Sequence, residues 1–318
     1  MRQQLSAAVG RTTFLIRSAF DVAVSEVASK VLVTTTGGQL YVLKRRVIDL
    51  GNGKTQISFD VVQPPTPLPP TGGSGQCFIS CSPTEPKAYI TVPSPDGVTD
   101  VYSYNIDANT FTKVAKGSET QIFQTPCFSP DGKKVYVTGK DRVAVFSAQT
   151  DSLVKEIQLG SFASEFALTF TPDGKKAFTG ADRDPQYPNS AAVIDAQADT
   201  LIAPIPGLAD SVTMCATYDN AKIYTTTVGS IAVLSTMSHQ IVTQIRGGTL
   251  YGGVASAPQH PFVAACSDKL ELIDSRIDQV VSQVEFPRHA NSVNVAIDQH
   301  QICYVTLDYF GLFVAKFY

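Results

Sequence analysis

The side chains able to move a proton or hold an anion are few in this sequence, and they come first. There are four histidines, His239, His260, His289 and His300. His289 alone stands beside a cation in loop-like text, Arg288-His289-Ala290-Asn291, where an imidazole suits general-base work or anion binding. A satisfied loop histidine is the competing reading. The densest polar cluster is Ala181-Asp182-Arg183-Asp184-Pro185-Gln186-Tyr187-Pro188-Asn189. Arg183 there suits bidentate clamping of an anionic group, and Tyr187 suits stacking on a partner. Asp182 and Asp184 serve equally well to pair with Arg183 and stiffen the loop.

Hydrolytic chemistry requires a base, an orienting carboxylate and a cationic clamp within hydrogen-bond reach. His289, Glu165 and Arg183 are the best trio present, and nothing in their spacing brings them together. His-Glu-x-x-His, paired Cys-x-x-Cys, a phosphate loop, calcium-loop spacing and Gly-x-Ser-x-Gly are all missing, so neither metal nor cofactor is expected. The glycine-rich stretch from Gly247 to Gly253 opens no helix, which argues against a phosphate cradle.

The chain has 318 residues, 43% of them hydrophobic and 17% charged, with a net charge of −3. That composition closes a core and sets up no field that draws in nucleic acid or anionic membrane. No apolar run reaches the length of a membrane-spanning helix. Cys77, Cys81, Cys127, Cys215, Cys266 and Cys303 are scattered through strand-like text and read as buried free thiols. A reducing, cytoplasmic home follows. The mitochondrial alternative rests on Arg2, Arg11 and Arg17 in an opening stretch without acids.

An internal repeat governs what must position these groups. Phe128-Ser129-Pro130-Asp131-Gly132-Lys133-Lys134-Val135-Tyr136-Val137-Thr138 returns as Phe170-Thr171-Pro172-Asp173-Gly174-Lys175-Lys176-Ala177-Phe178-Thr179. Degenerate copies place the turn at 26, 83, 130, 172, 218, 258 and 298. The spacings are 57, 47, 42, 46, 40 and 40, the period of a four-stranded propeller blade. Pro fixes φ and Gly supplies a positive one at the turn. The strands alternate or run fully apolar, as sheets buried on both faces do. We expect an all-β, seven-bladed propeller of four-stranded antiparallel blades filling residues 1–318 as one domain. The last unit shows only three strands, and residues 11–17 are expected to supply its fourth, joining the two chain ends and removing the open edge.

Ser-Pro-Asp-Gly-Lys-Lys-Val-Tyr-Val-Thr resembles the repeat of the YVTN β-propeller family, closely over residues 120–245. It differs from the WD-repeat signature, since the chain has no Trp and no Gly-His before its inner strands. The resemblance implies a WD40-like ring and specifies no activity. Bacterial sugar-lactone hydrolases share a similar seven-bladed fold and bind a small acid at the channel mouth. Related propellers also accompany haem or quinone, but Cys-x-x-Cys-His is missing here.

In such a ring, second-to-third turns and outer-to-inner connections share one face, where partners are expected to bind. Arg142, Asp182, Arg183, Asp184, Tyr187, Tyr251, Arg288, His289 and Tyr309 fall there and are the candidate partner-binding residues. His239, His260 and His300 fall on the opposite face. Residues 63–75 carry five prolines and then a Gly-rich tail, read as an extended arm without a partner strand. That arm is either a tolerated loop insertion or a ligand for a proline-recognising groove. The expected function is a non-catalytic protein-interaction scaffold, with a lactonase-like hydrolase as the alternative.

Overall fold

Three turns of the repeat build themselves from their own side chains. Ser129 Oγ donates to Asp131 Oδ1 (2.7 Å), the Lys133 amide donates to the same oxygen, and the Lys134 amide donates back to Ser129 Oγ (3.0 Å). Thr171 with Asp173 and Thr217 with Asp219 repeat the arrangement at 2.7 and 2.6 Å. These local bonds reverse the chain before any long-range contact is needed. Gly132 closes its turn at φ 70°, and a Cβ there would lie 2.1 Å from Thr84 Oγ1 of the preceding repeat.

The structure, a computed structural model, describes residues 11–51, 54–69, 75–118, 123–160, 165–181, 191–208, 211–250, 252–287, 290–308 and 310–317. No helix occurs among them. The strands form seven small antiparallel sheets, which run outward in chain order except that the last takes its outer strand from the N-terminal segment. The third blade is typical, with Phe123–Phe128 innermost, then Lys134–Gly139, Arg142–Ser147 and the outer Ser152–Gln158. In the fifth blade one run, Lys222–Ser235, provides both middle strands. Gly229 at φ 71° interrupts it, the first half pairing with Met214–Ala216 and the second with Ile241–Leu250. Neighbouring innermost strands pack side by side, and that of blade 7, Ser292–Ile297, meets that of blade 1, Ala19–Ser25. The ring is closed, and the protein is a seven-bladed β-propeller.

Seven apolar clusters hold it, one in each seam between adjacent blades. Alternation explains why: successive strand residues point to opposite sheet faces, so each blade feeds two seams. Tyr136 enters the seam of blades 3 and 4, for example, while Val135 and Val137 enter that of blades 2 and 3. Blade 7 is completed as expected by Arg11–Phe14, paired antiparallel with Gly311–Lys316. Ile16, fully buried, follows that strand into the seam of blades 7 and 1 beside Leu312 and Val314.

The Pro-rich segment departs from its expected form. Val61 pairs with Leu43, the Val62 amide donates to the Val42 carbonyl, and Thr66–Pro67 pairs with Gln39 and Leu40. Residues 61–67 therefore form the outer edge of blade 1, where prolines are tolerated because their missing N–H would face solvent. Leu68 is 2% exposed and packs in the seam of blades 1 and 2. The arm thus has a partner strand at Thr66–Pro67, while residues 70–74 of the expected arm lie outside the described residues. The long first spacing comes from a different insertion, the hairpin of Gln39–Gly51 and Lys54–Val61, which continues past the blade's end. Its Phe59 packs edge-on against Tyr304 of blade 7 (6.2 Å between centroids), and its Arg45 pairs with Asp298 of the same blade.

The Lys-x-Tyr pair of the repeat has a separate task. In blade 3, Lys134 Nζ reaches Asp199 of blade 4 (2.7 and 2.8 Å) and the Ala196 carbonyl (3.1 Å), and Tyr136 OH donates to the same carboxylate. Lys87 and Tyr89 hold Asp151 in this way, and Lys222 and Tyr224 hold Asp278. Each aspartate sits at φ 53°, last in a third-to-fourth turn, a conformation that Asp tolerates better than most residues. The threonine two places after Tyr136, Tyr224 and Tyr304 serves the opposite end of its blade, whereas Thr91, two places after Tyr89, is buried without a partner among the described residues. Thr138, Thr226 and Thr306 accept the amides of Thr125, Thr213 and Asn294 on the innermost strands.

Candidate functional site

The loop face is where the sequence placed its candidates, and the described residues include one of them in full. Arg142 begins the third strand of blade 3, directly after the turn residue Asp141 at φ 54°. Its guanidinium approaches Glu156 at 3.4 Å, and both side chains are largely buried. Among the described residues, neither Arg142 Nε nor Asp141 Oδ1, both buried, has a hydrogen-bond partner. A buried donor and a buried acceptor left open on consecutive residues cost stability unless something else satisfies them. The pair is complementary to a group that both accepts and donates, as a peptide unit does.

Asp182, Arg183, Asp184, Tyr187, Tyr251, Arg288, His289 and Tyr309 lie outside the described residues. Of the trio His289, Glu165 and Arg183, Glu165 alone is among the described residues. Glu165 opens the innermost strand of blade 4.

The central channel contains a polar constriction that the sequence analysis did not single out. A cavity of about 160 Å³ is lined from all seven blades, by Asp21, Phe78, Thr125, Leu168, Thr213, Val254 and Asn294 among others. Asp21 lies in the innermost strand of blade 1 and is 4% exposed. It accepts from its neighbour's amide at Val22 (2.8 Å), from the Ile79 amide of blade 2 (2.9 Å) and from Asn294 Nδ2 of blade 7 (2.5 Å). One carboxylate thereby ties three blades at the axis. Burial pushes its pKa up to about 6 against the pull of those donors, which favour the ionised form. The available sequence signal was a single acid inside the apolar strand Ala19-Phe20-Asp21-Val22-Ala23.

On the opposite face, third-to-fourth turns meet the Pro-Asp-Gly turns, and His239, His260 and His300 fall there as expected. His260 Nε2 lies 3.3 Å from Gln301 Nε2, and the His300 amide donates to Asp298. A cleft of about 540 Å³ is also on this face, between Pro172, Tyr218 and Pro258. The aspartates of the Lys-x-Tyr pairs are consumed by architecture. Burial, then the hydrogen bond to Asp199, pushes the Tyr136 phenol far above its ordinary range, so it stays a donor.

All six cysteines are free thiols, four of them buried. Burial pushes Cys127 and Cys266 up to about 12, which leaves them protonated and unreactive. Among the described residues no group of three or more His, Cys, Asp or Glu is placed to hold a metal ion. Among the described residues there is no helix long and apolar enough to cross a membrane. No protein-family model matches the chain, and no curated protein matches it either. The class rests on the fold, a seven-bladed propeller built from a Lys-x-Tyr-x-Thr repeat.

Proposed function

We propose that this chain is a non-catalytic protein-interaction scaffold of the YVTN repeat type, engaging a polypeptide through the loop face around its channel. The observation that carries the reading is the open pair on blade 3. Arg142 Nε and Asp141 Oδ1 are desolvated but unused, on the face where the loops converge. Both atoms are closed to solvent, so a partner backbone or amide side chain supplies the two missing bonds by displacing the turn that covers them. The closed ring supports this, because a rigid platform loses little entropy on binding. Arg183, Asp182, Asp184, Tyr187, Tyr251, Arg288, His289 and Tyr309 belong to the same proposed surface. The exposed Pro64 and Pro65 on the rim of blade 1 form a second proposed contact.

The test is affinity purification of the tagged chain from its own cells, with partner identity and stoichiometry read by mass spectrometry. The expected result is a stoichiometric polypeptide that Arg142→Glu releases while thermal stability stays within a few degrees of wild type. Pro64→Ser with Pro65→Ser separates the rim contact from the loop face. A chain that purifies alone, or a partner retained equally by Arg142→Glu, overturns the reading.

A further inference from the structure

Blade 4 carries the lysine of the repeat but not its acid. In the seams of blades 2–3, 3–4 and 5–6, a Lys Nζ lies 2.7 Å from an Asp carboxylate that also accepts from a tyrosine. In the seam of blades 4 and 5, two of these three groups differ together. Phe178 stands where the others have tyrosine, and His239 stands where they have aspartate. The backbone frame is retained. His239 has φ 60°, its amide bonds the Ser235 carbonyl as that of Asp151 bonds Ser147, and Lys176 Nζ donates to the Thr236 carbonyl at 2.7 Å.

Lys176 therefore keeps its carbonyl partner and loses its counter-charge. Its ammonium lies 2.9 Å from His239 Nε2, which accepts only while that nitrogen is unprotonated. Burial first, then the lysine charge, holds the His239 pKa below its ordinary value. Phe178, fully buried, meets the imidazole edge-on at 6.1 Å and contributes no polar atom.

Beside this lysine is a cleft of about 220 Å³, lined by Lys175, Lys176, Asn220, Thr236 and Met237 together with Thr171 and Asp173. The Asp173 carboxylate is already engaged, by the Thr171 hydroxyl, the Lys175 amide and the Lys175 ammonium (3.4 Å). The cleft is left with one positive charge in excess. The sister seams show what this frame holds, a carboxylate against lysine and a backbone carbonyl.

We propose that the cleft between blades 4 and 5 is a binding site for an external carboxylate, which pairs with Lys176 as aspartate does in the neighbouring seams. The ligand is a small carboxylic acid or the free C-terminus of a polypeptide. The cleft volume accommodates a few heavy atoms, and Met237, 87% exposed at its rim, offers apolar contact to whatever chain the carboxylate carries. The site lies on the face opposite the proposed partner surface, so the two stand or fall separately.

The test uses the full chain. Thermal unfolding is followed in sodium acetate and in sodium chloride at matched ionic strength, with imidazole NMR of the labelled histidines alongside. A saturable rise in Tm specific to acetate is expected, because a ligand bound only to the folded state stabilises it. His239 resonances are expected to move along the same saturation curve. His239→Asp fills the seat from within the chain and is expected to abolish the acetate response while remaining folded. Lys176→Gln is expected to abolish it too. A short peptide with a free C-terminus, compared with its amidated form, separates the two sources: tighter binding of the free form assigns a polypeptide terminus, and binding of acetate alone assigns a small acid. No acetate-specific change in Tm or in His239, or an unchanged Tm response in His239→Asp, overturns the proposal.

Discussion

Giving blade 4 the seam that blades 2, 3 and 5 possess requires two substitutions, Phe178→Tyr and His239→Asp. The backbone is prepared for both, since His239 at φ 60° lies close to the 53° of Asp151, Asp199 and Asp278. The new ion pair resembles Lys134–Asp199, whose side chains are 31% and 12% exposed. After allowance for solvent screening such a pair contributes about 1 kcal/mol. A tyrosine hydroxyl donating to a charged acceptor adds roughly 1.5 kcal/mol. The double variant is then more stable by about 2–3 kcal/mol, which at roughly 2 °C per kcal/mol for a chain of this size is about 4–6 °C in Tm. The informative quantity is the coupling in a double-mutant cycle measured by urea denaturation. Tyrosine gains its charged partner only when aspartate is present, so the two changes should exceed the sum of the singles by about 1–1.5 kcal/mol. Strict additivity, or destabilisation by His239→Asp alone, would refute the idea that these turns are equivalent frames.

Three further outcomes follow from the same geometry. Asp21 has a folded pKa raised to about 6 from 3.8, so its contribution favours the fold below pH 4 and is lost as pH rises through 6. Relative to Asp21→Asn, wild-type stability should fall by about 2 kcal/mol between pH 4 and 7, read from paired urea curves. Thr138→Val deprives the Thr125 amide of its acceptor and should cost about 1–2 kcal/mol, whereas Thr91→Val, whose hydroxyl is buried without a partner, should cost nothing or stabilise. Deleting residues 1–16 uncovers the edge of Gly311–Lys316 and removes buried Ile16, so size-exclusion chromatography should show self-association through that edge.

The legibility of the candidate site was uneven for physical reasons. Loop positions such as Arg142 were assigned to a face because strand alternation and turn spacing are local, and the face follows from counting strands. The unsatisfied state of Arg142 Nε was not readable, since it depends on which donors and acceptors the folded turn brings near. The Pro-rich segment was misread because proline count reports only the missing amides. That residues 61–67 nevertheless pair along Gln39–Gly51 follows from the long hairpin of blade 1 returning the chain to that edge.

The sequence by itself determined the number of blades, the turn at each repeat and the need for an N-terminal strand to close the ring. The first two rest on interactions within a few residues, the Ser129–Asp131 turn and the two-residue strand period among them, and the third follows from counting the strands of the last unit. Only the tertiary structure decided what the repeat's lysine and tyrosine are for. Their acids lie 65 residues away at Asp199 and 56 at Asp278, in the next blade along, at separations that vary with loop length. The same holds for Asp21, whose donors come from Ile79 and Asn294, 58 and 273 residues distant. A local pattern repeats whether or not its partner is present, and so Lys176 reads like its neighbours but for Phe178, and its missing counter-charge shows only when His239 is seen across the seam.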